Sequence, residues 1–167
     1  IEERVATASG TYGVYVYRVE KGVGYGRKER EVMPAASILK VPAMMTALNQ
    51  IDKGQLTMDS EVTLLEQDRS PGLGPMQFMK AGTKIKLDDV LAHLGKKSDN
   101  TAWLMLNRVL GVGEIEIEIE KMGMGDTSYR EGTTTAVDVA KMFSKAKLGN
   151  VVGKSGWEKM REYLTES

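Results

Sequence analysis

Strand-like sequence in this chain is confined to the residues before Met33, and that limits the folds open to it. Tyr12 to Glu20 is rich in Val and Tyr and flanked by glycines, a strand composition. Lys21-Gly22 reads as a tight turn, and Val23 to Val32 as a second strand weakened by Gly24 and Gly26, so an antiparallel hairpin is expected. No convincing strand follows residue 32. A two-stranded hairpin is marginal alone. The expected class is therefore α+β, an antiparallel sheet lobe beside a helical lobe, with the sheet incomplete in this chain.

The rest reads as helix. Ala36 to Ile51 carries apolar residues at Leu39, Ala43, Ala47 and Leu48, with Gly54 as a stop. Ser70 to Pro75 is loop chemistry. Leu87 to Lys97 has Leu87, Val90, Leu91 and Leu94 at three-to-four spacing, and Thr101 to Leu110, with Trp103 on its apolar face, ends at Gly111. Glu114 to Met122 alternates Ile and Glu like a strand, yet Ile115, Ile119 and Met122 share a helical face, and helix is the choice made here. Thr134 to Lys147 and Ser155 to Leu164 complete the set. One domain over 1–167 is expected: hairpin and first long helix at 1–54, helical lobe at 55–133, and C-terminal helices at 134–167.

Charge narrows the partners. Lys+Arg and Asp+Glu both number 23, so nothing favours nucleic acid or an acidic membrane as partner. No apolar run is long enough to span a bilayer, and no membrane insertion is expected. Cysteine is absent, which removes disulfides and thiolate catalysis. No metal-ligand cluster or cofactor loop is visible. Gly22-Val23-Gly24-Tyr25-Gly26 has no helix after it, so a dinucleotide site is not expected. The single histidine, His93, has no Asp or second His in motif spacing and reads as structural.

Two short motifs carry chemistry. Ser37-Ile38-Leu39-Lys40 opens a helix, and positions three apart share a face, so Lys40 can reach the Ser37 hydroxyl. A serine nucleophile needs a base, and lysine serves only when its amine is neutral. Burial and the positive end of a helix both favour that neutral form. Taken alone, the pair reads more simply as an N-cap Ser with a surface Lys. Ser98-Asp99-Asn100 lies between two expected helices, and alone it reads as the capped start of the second. In the catalytic reading, Ser98 lies on the proton path from Lys40 to the leaving group, Asn100 holds a substrate amide, and Asp99 fixes the turn.

Together and in this order, the motifs resemble those of the penicillin-recognising serine hydrolases, the class A β-lactamases and penicillin-binding proteins. Pro34 to Pro42 is similar to the nucleophile segment, Ser98 to Ala102 to the second motif, and Thr133 to Ala136 with Asp138 to the start of a later helix. The resemblance implies a β-lactamase/transpeptidase-like fold and acyl transfer from a β-lactam or peptide-like amide to Ser37. Lys40 is then the base, Ser98 the shuttle and Asn100 a substrate-binding residue, and the Ser37 amide gives half the oxyanion hole. It implies no cofactor and no metal. Hydrolysis is the first expectation, with a carboxypeptidase or esterase, or a non-catalytic binding or truncated scaffold domain, as alternatives. Substrates of such proteins lie outside the cytoplasmic membrane, so a periplasmic or secreted location is implied, although no leader is visible in this sequence.

The chain departs from the family pattern twice. The third element, Lys-Thr/Ser-Gly on a late strand, is matched by letter at Lys154-Ser155-Gly156, but the context is a loop entering a helix, with Ser155 as its expected cap. The resemblance therefore implies a chain without its last three strands and final helix, which a second fragment or chain would supply unless the domain is remodelled. The link from Gly125 to Gly132 is also short. Glu131 is the only carboxylate near the place of the family's deacylating Glu, and it reads as a solvated loop residue.

Overall fold

The computed structural model describes residues 2–165, beginning with a short helix, α1 (Glu2–Ala6). Strands β1 (Val14–Arg18) and β2 (Val23–Arg27) then form the expected antiparallel hairpin, Val14 opposite Arg27 and Arg18 opposite Val23. Its connection is longer than a Lys21-Gly22 turn. Val19–Lys21 make one 3-10 turn, and Gly22 closes it at a left-handed φ of 64°. β2 also stops well before Val32. Gly26 lies so close to the Val14 carbonyl and the Glu29 side chain that a Cβ there would collide with both, and Lys28 turns the chain away at φ 48°.

Four further strands correct the expectation of none after residue 32. β3 (Met33–Pro34) pairs with β6 (Thr133–Thr134), and β4 (Glu61–Thr63) with β5 (Lys84–Lys86), both antiparallel. Each is two or three residues long, too short for an alternating pattern to show in sequence. Among the described residues no ladder has more than two strands.

The helices account for most of the core. A 3-10 turn, Ala36–Leu39, leads into α2 (Lys40–Asp52), where the sequence pattern had suggested one continuous helix. Every residue of α2 from Lys40 to Leu48 is buried, because α3 (Leu87–Lys97), α4 (Asn100–Leu110), α5 (Val112–Lys121) and α7 (Lys154–Thr165) all pack around it. The Ile/Glu stretch is helical, as its shared face required: Ile115, Glu118 and Ile119 are buried, and Glu118 meets Lys121 at 2.7 Å. α6 (Ala136–Lys147) packs beside β1. No helix among the described residues is long and apolar enough to cross a membrane.

The caps show how local sequence sets the boundaries. Thr134 belongs to β6, and it is Thr135 whose hydroxyl accepts from the Asp138 amide at 3.2 Å to open α6. Thr135→Val keeps the volume and loses the acceptor. We expect it to destabilise the protein by about 1–2 kcal/mol, read as a lower urea midpoint at unchanged slope. Ser155 is not the cap it was expected to be. α7 already begins at Lys154, Gly153 accepts from the Trp157 amide, and the Asp52 carboxylate takes the Gly153 amide at 2.6 Å. The carboxylate at the end of α2 thus ties down the residue that precedes α7.

Candidate active site

The site forms where the 3-10 turn before α2 meets the link between α3 and α4. Lys40 is the first residue of α2 and is only 5% exposed, while Ser37, one turn earlier, is exposed. Ser98 ends α3 in a left-handed conformation (φ 49°), which swings its hydroxyl back over the start of α2. The three polar atoms close on one another. Lys40 Nζ is 3.4 Å from Ser37 Oγ and 3.0 Å from Ser98 Oγ, and Ser98 Oγ–H donates to Ser37 Oγ at 2.9 Å. Nζ also donates to the Ser98 carbonyl at 2.5 Å and to Asn100 Oδ1 at 2.6 Å. Burial holds the Lys40 amine below the ordinary lysine range, and the Asp99 carboxylate partly opposes that shift.

Asp99 shapes this arrangement without facing the nucleophile. It is fully buried, with Oδ1 accepting from the Ala102 amide at 3.0 Å and Oδ2 from the Met76 amide at 2.9 Å. The first of these bonds caps α4, and the second ties down the loop before β5. That loop is the Ser70 to Pro75 stretch, and it lies across the whole motif. The Leu73 carbonyl accepts from the Asn100 amide at 3.0 Å, and the Pro71 carbonyl from Asn100 Nδ2 at 3.3 Å. The approach is close enough to demand glycine. At Gly74 (φ 95°) a Cβ would run into the Asp99 carboxylate.

Trp103 is a site residue that the helical pattern alone assigned to an apolar face. Lys40 Nζ lies 5.8 Å from its ring centroid. The indole Nε1–H donates to the Tyr129 hydroxyl at 2.6 Å, and that hydroxyl donates to Asn107 Oδ1 at 2.6 Å. Burial pushes the Tyr129 phenol up to about 12, so it remains a neutral donor. The available signal was spacing: Trp103 stands three residues after Asn100 on the same helix, hence on the same face.

Two cavities open at Ser37. One, of about 320 Å³, is lined by Ala36, Ser37, Leu39, Lys40, Asn100, Trp103 and Gly132. The other, of about 280 Å³, runs past Ser98 and is walled by Val41, Met44, Leu94 and Leu164. Neither lining includes an aspartate or glutamate. Glu131 is exposed beside Gly132, its amide donating to Ser128 Oγ at 3.2 Å. His93 borders a separate hollow with Asp89 and Lys96. Lys154-Ser155-Gly156 lies at the wrong end of the molecule for substrate contact. Gly156 packs on Leu48 and near Asp52, so α2 separates it from Lys40 by about 12–18 Å at 1.5 Å per residue.

The profile of the beta-lactamase enzyme family matches residues 1–167. The chain belongs to that family. Among solved structures, PBP-A superposes with a TM-score of 0.90 at 22% identity, covering 99% of this chain and 66% of that one. A beta-lactamase from Sphaerobacter thermophilus gives 0.86 at 22% identity, covering 99% and 68%. These likenesses carry the β-lactamase/penicillin-binding-protein fold expected from the motifs. Two curated relatives match more briefly. The D-alanyl-D-alanine carboxypeptidase DacF of Bacillus subtilis is 23% identical over 124 residues, 69% of this chain and 32% of that protein. Beta-lactamase VEB-1 of Pseudomonas aeruginosa is 28% identical over 80 residues, 47% and 27% respectively. The chain thus spans about a third or less of the curated relatives it matches, and about two thirds of the solved structures.

Proposed function

We propose that this chain carries the acylating half of a penicillin-recognising serine hydrolase, with Ser37 as nucleophile. The observation that supports it is the closed contact of Ser37 Oγ, Ser98 Oγ and Lys40 Nζ, with the lysine buried. Neutral Lys40 takes the Ser37 proton as Oγ bonds to the carbonyl carbon of a β-lactam or a peptide-like amide. The tetrahedral oxyanion that results is met by the Ser37 amide. As the C–N bond breaks, the proton leaves Lys40 through the Ser98 hydroxyl for the departing nitrogen, which restores the neutral amine. Asn100 anchors Lys40 through Oδ1, and its Nδ2, which donates to the Pro71 carbonyl in the free protein, keeps a second hydrogen for a substrate amide. Hydrolysis of the acyl-enzyme by water completes the cycle and regenerates Ser37.

A second reading, an acylated protein that releases product slowly, is favoured by one observation: no carboxylate lines either cavity at Ser37. Such a protein acts as a penicillin-binding carboxypeptidase, an esterase or a β-lactam-binding domain. Both readings include a periplasmic or secreted location. A related structure, a PBP-A variant, is an acyl-enzyme complex with penicillin G, so the same ligand is the natural probe. Intact-mass spectrometry of the protein mixed with benzylpenicillin, sampled from seconds to hours and mapped by peptide digest, tests them. An adduct on the Ser37 peptide that persists supports slow release, and one that turns over supports a β-lactamase. Absence of any adduct would overturn the acylating role.

A further inference from the structure

We propose that Trp103 is a positioning residue for Lys40, held in place by Tyr129 and Asn107. The inference rests on the reading of Lys40 as the base that activates Ser37. Lys40 Nζ sits 5.8 Å from the centroid of the Trp103 ring, within the range where the π-face attracts an ammonium. On its other sides Nζ meets only neutral acceptors: Ser37 Oγ, Ser98 Oγ, the Ser98 carbonyl and Asn100 Oδ1. The ionic group whose field reaches it is Asp99, whose oxygens are both taken by amides. Glu131 is exposed, and Tyr129 lies behind the indole as a neutral phenol.

The indole does not reach this place by packing alone. Its N–H is fixed by the Tyr129 hydroxyl, which is itself oriented by Asn107 one turn further along α4. Asn100, Trp103 and Asn107 therefore present one face of α4 to the site. Tyr129 joins that face to the short link before β6, and the two rings meet edge-on with centroids 6.1 Å apart. A lysine stem is flexible, and the ring adds a steric wall to the four acceptors, which come from the 3-10 turn, the end of α3 and the start of α4. The flat ring on the open side excludes the rotamers that would carry Nζ away from Ser37 and out into the 320 Å³ cavity.

The chain opposes two effects on one amine. Burial favours the neutral form that catalysis needs, whereas the indole face favours the ammonium that must form once Ser37 has given up its proton. Removing the indole should therefore move the Lys40 titration to lower pH. It should also slow acylation, because the amine is no longer held on the nucleophile.

The test uses protein with ¹³C-labelled lysine side chains, titrated by NMR, together with benzylpenicillin acylation rates across pH. For Trp103→Leu we expect the Lys40 acid dissociation constant to rise by about three- to thirty-fold. We expect the acidic limb of the acylation profile to move down in pH with it, and the plateau rate to fall. Tyr129→Phe, which keeps the ring and frees the indole N–H, should shift both in the same direction by less. Trp103→Phe should restore most of the plateau. If the Lys40 titration is unmoved in Trp103→Leu while the variant remains folded, Trp103 only fills space and the proposal is overturned. Wild-type protein that never acylates would instead sink the proposed function, and the Lys40 titration would still decide the place of Trp103.

Discussion

Lys40→Ala should acylate with benzylpenicillin about 10²–10⁴-fold more slowly than the wild type, approaching the silence expected of Ser37→Ala. The magnitude is that of losing a general base poised at hydrogen-bond distance. The wild-type rate should rise with pH as Lys40 loses its proton. Burial disfavours the ammonium, so that limb should lie below the ordinary lysine range, and it should vanish in Lys40→Ala. Lys40→Arg is the sharper control, since guanidinium keeps the charge and cannot accept a proton near neutral pH. It should be inactive at every pH. Stopped-flow or quenched mass measurements of the adduct give the rates. An alanine variant that acylates at the wild-type rate would remove Lys40 from the mechanism.

Asp99→Ala is the substitution expected to cost the fold most. The carboxylate is fully buried and accepts from two amides, Ala102 and Met76. Leaving two buried donors unpaired costs about 1–3 kcal/mol each, so a total of about 2–6 kcal/mol is expected from denaturant melts. The damage should not stop at stability. Met76 follows the loop that covers Asn100, and Ala102 lies in the first turn of the helix that carries Trp103, so Ser98 and Asn100 would lose their fixed separation from Lys40. The field of Asp99 also raises the Lys40 pKa, and its loss should lower that value further. A variant with an unchanged melting midpoint would show that backbone and water replace the carboxylate, contrary to this account.

Sequence was most informative where several residues had to agree. The boundaries of α3 were legible at both ends because its apolar spacing is regular and charge flanks it, and the Ile/Glu stretch was resolved by a shared face rather than by its alternation. The reach of Lys40 to Ser37 was legible from their spacing on one helical face, whereas the approach of Ser98 was expected only from the family resemblance, since each motif alone reads as a helix cap. What escaped was set by tertiary contact. β3 to β6 exist because their partners arrive from distant parts of the chain, and a strand of two residues has no period. The start of α7 is fixed by Asp52 of another helix, which holds the Gly153 amide, and Ser155 falls inside the helix rather than before it. Trp103 looked like core because a pattern of apolar spacing cannot tell a ring that fills space from one that faces a cation.

Ala36, immediately before the nucleophile, and Ser98 both hold positive φ, at 46° and 49°. A side chain in that region costs roughly 1–2 kcal/mol relative to its preferred backbone. Selection for melting temperature alone would place glycine or asparagine at both positions. Alanine and serine stand there instead, one aiming the turn that presents Ser37 and the other lending its hydroxyl to the site. In an engineered or evolving lineage, these two positions are where gains in heat tolerance and gains in turnover would come into conflict first.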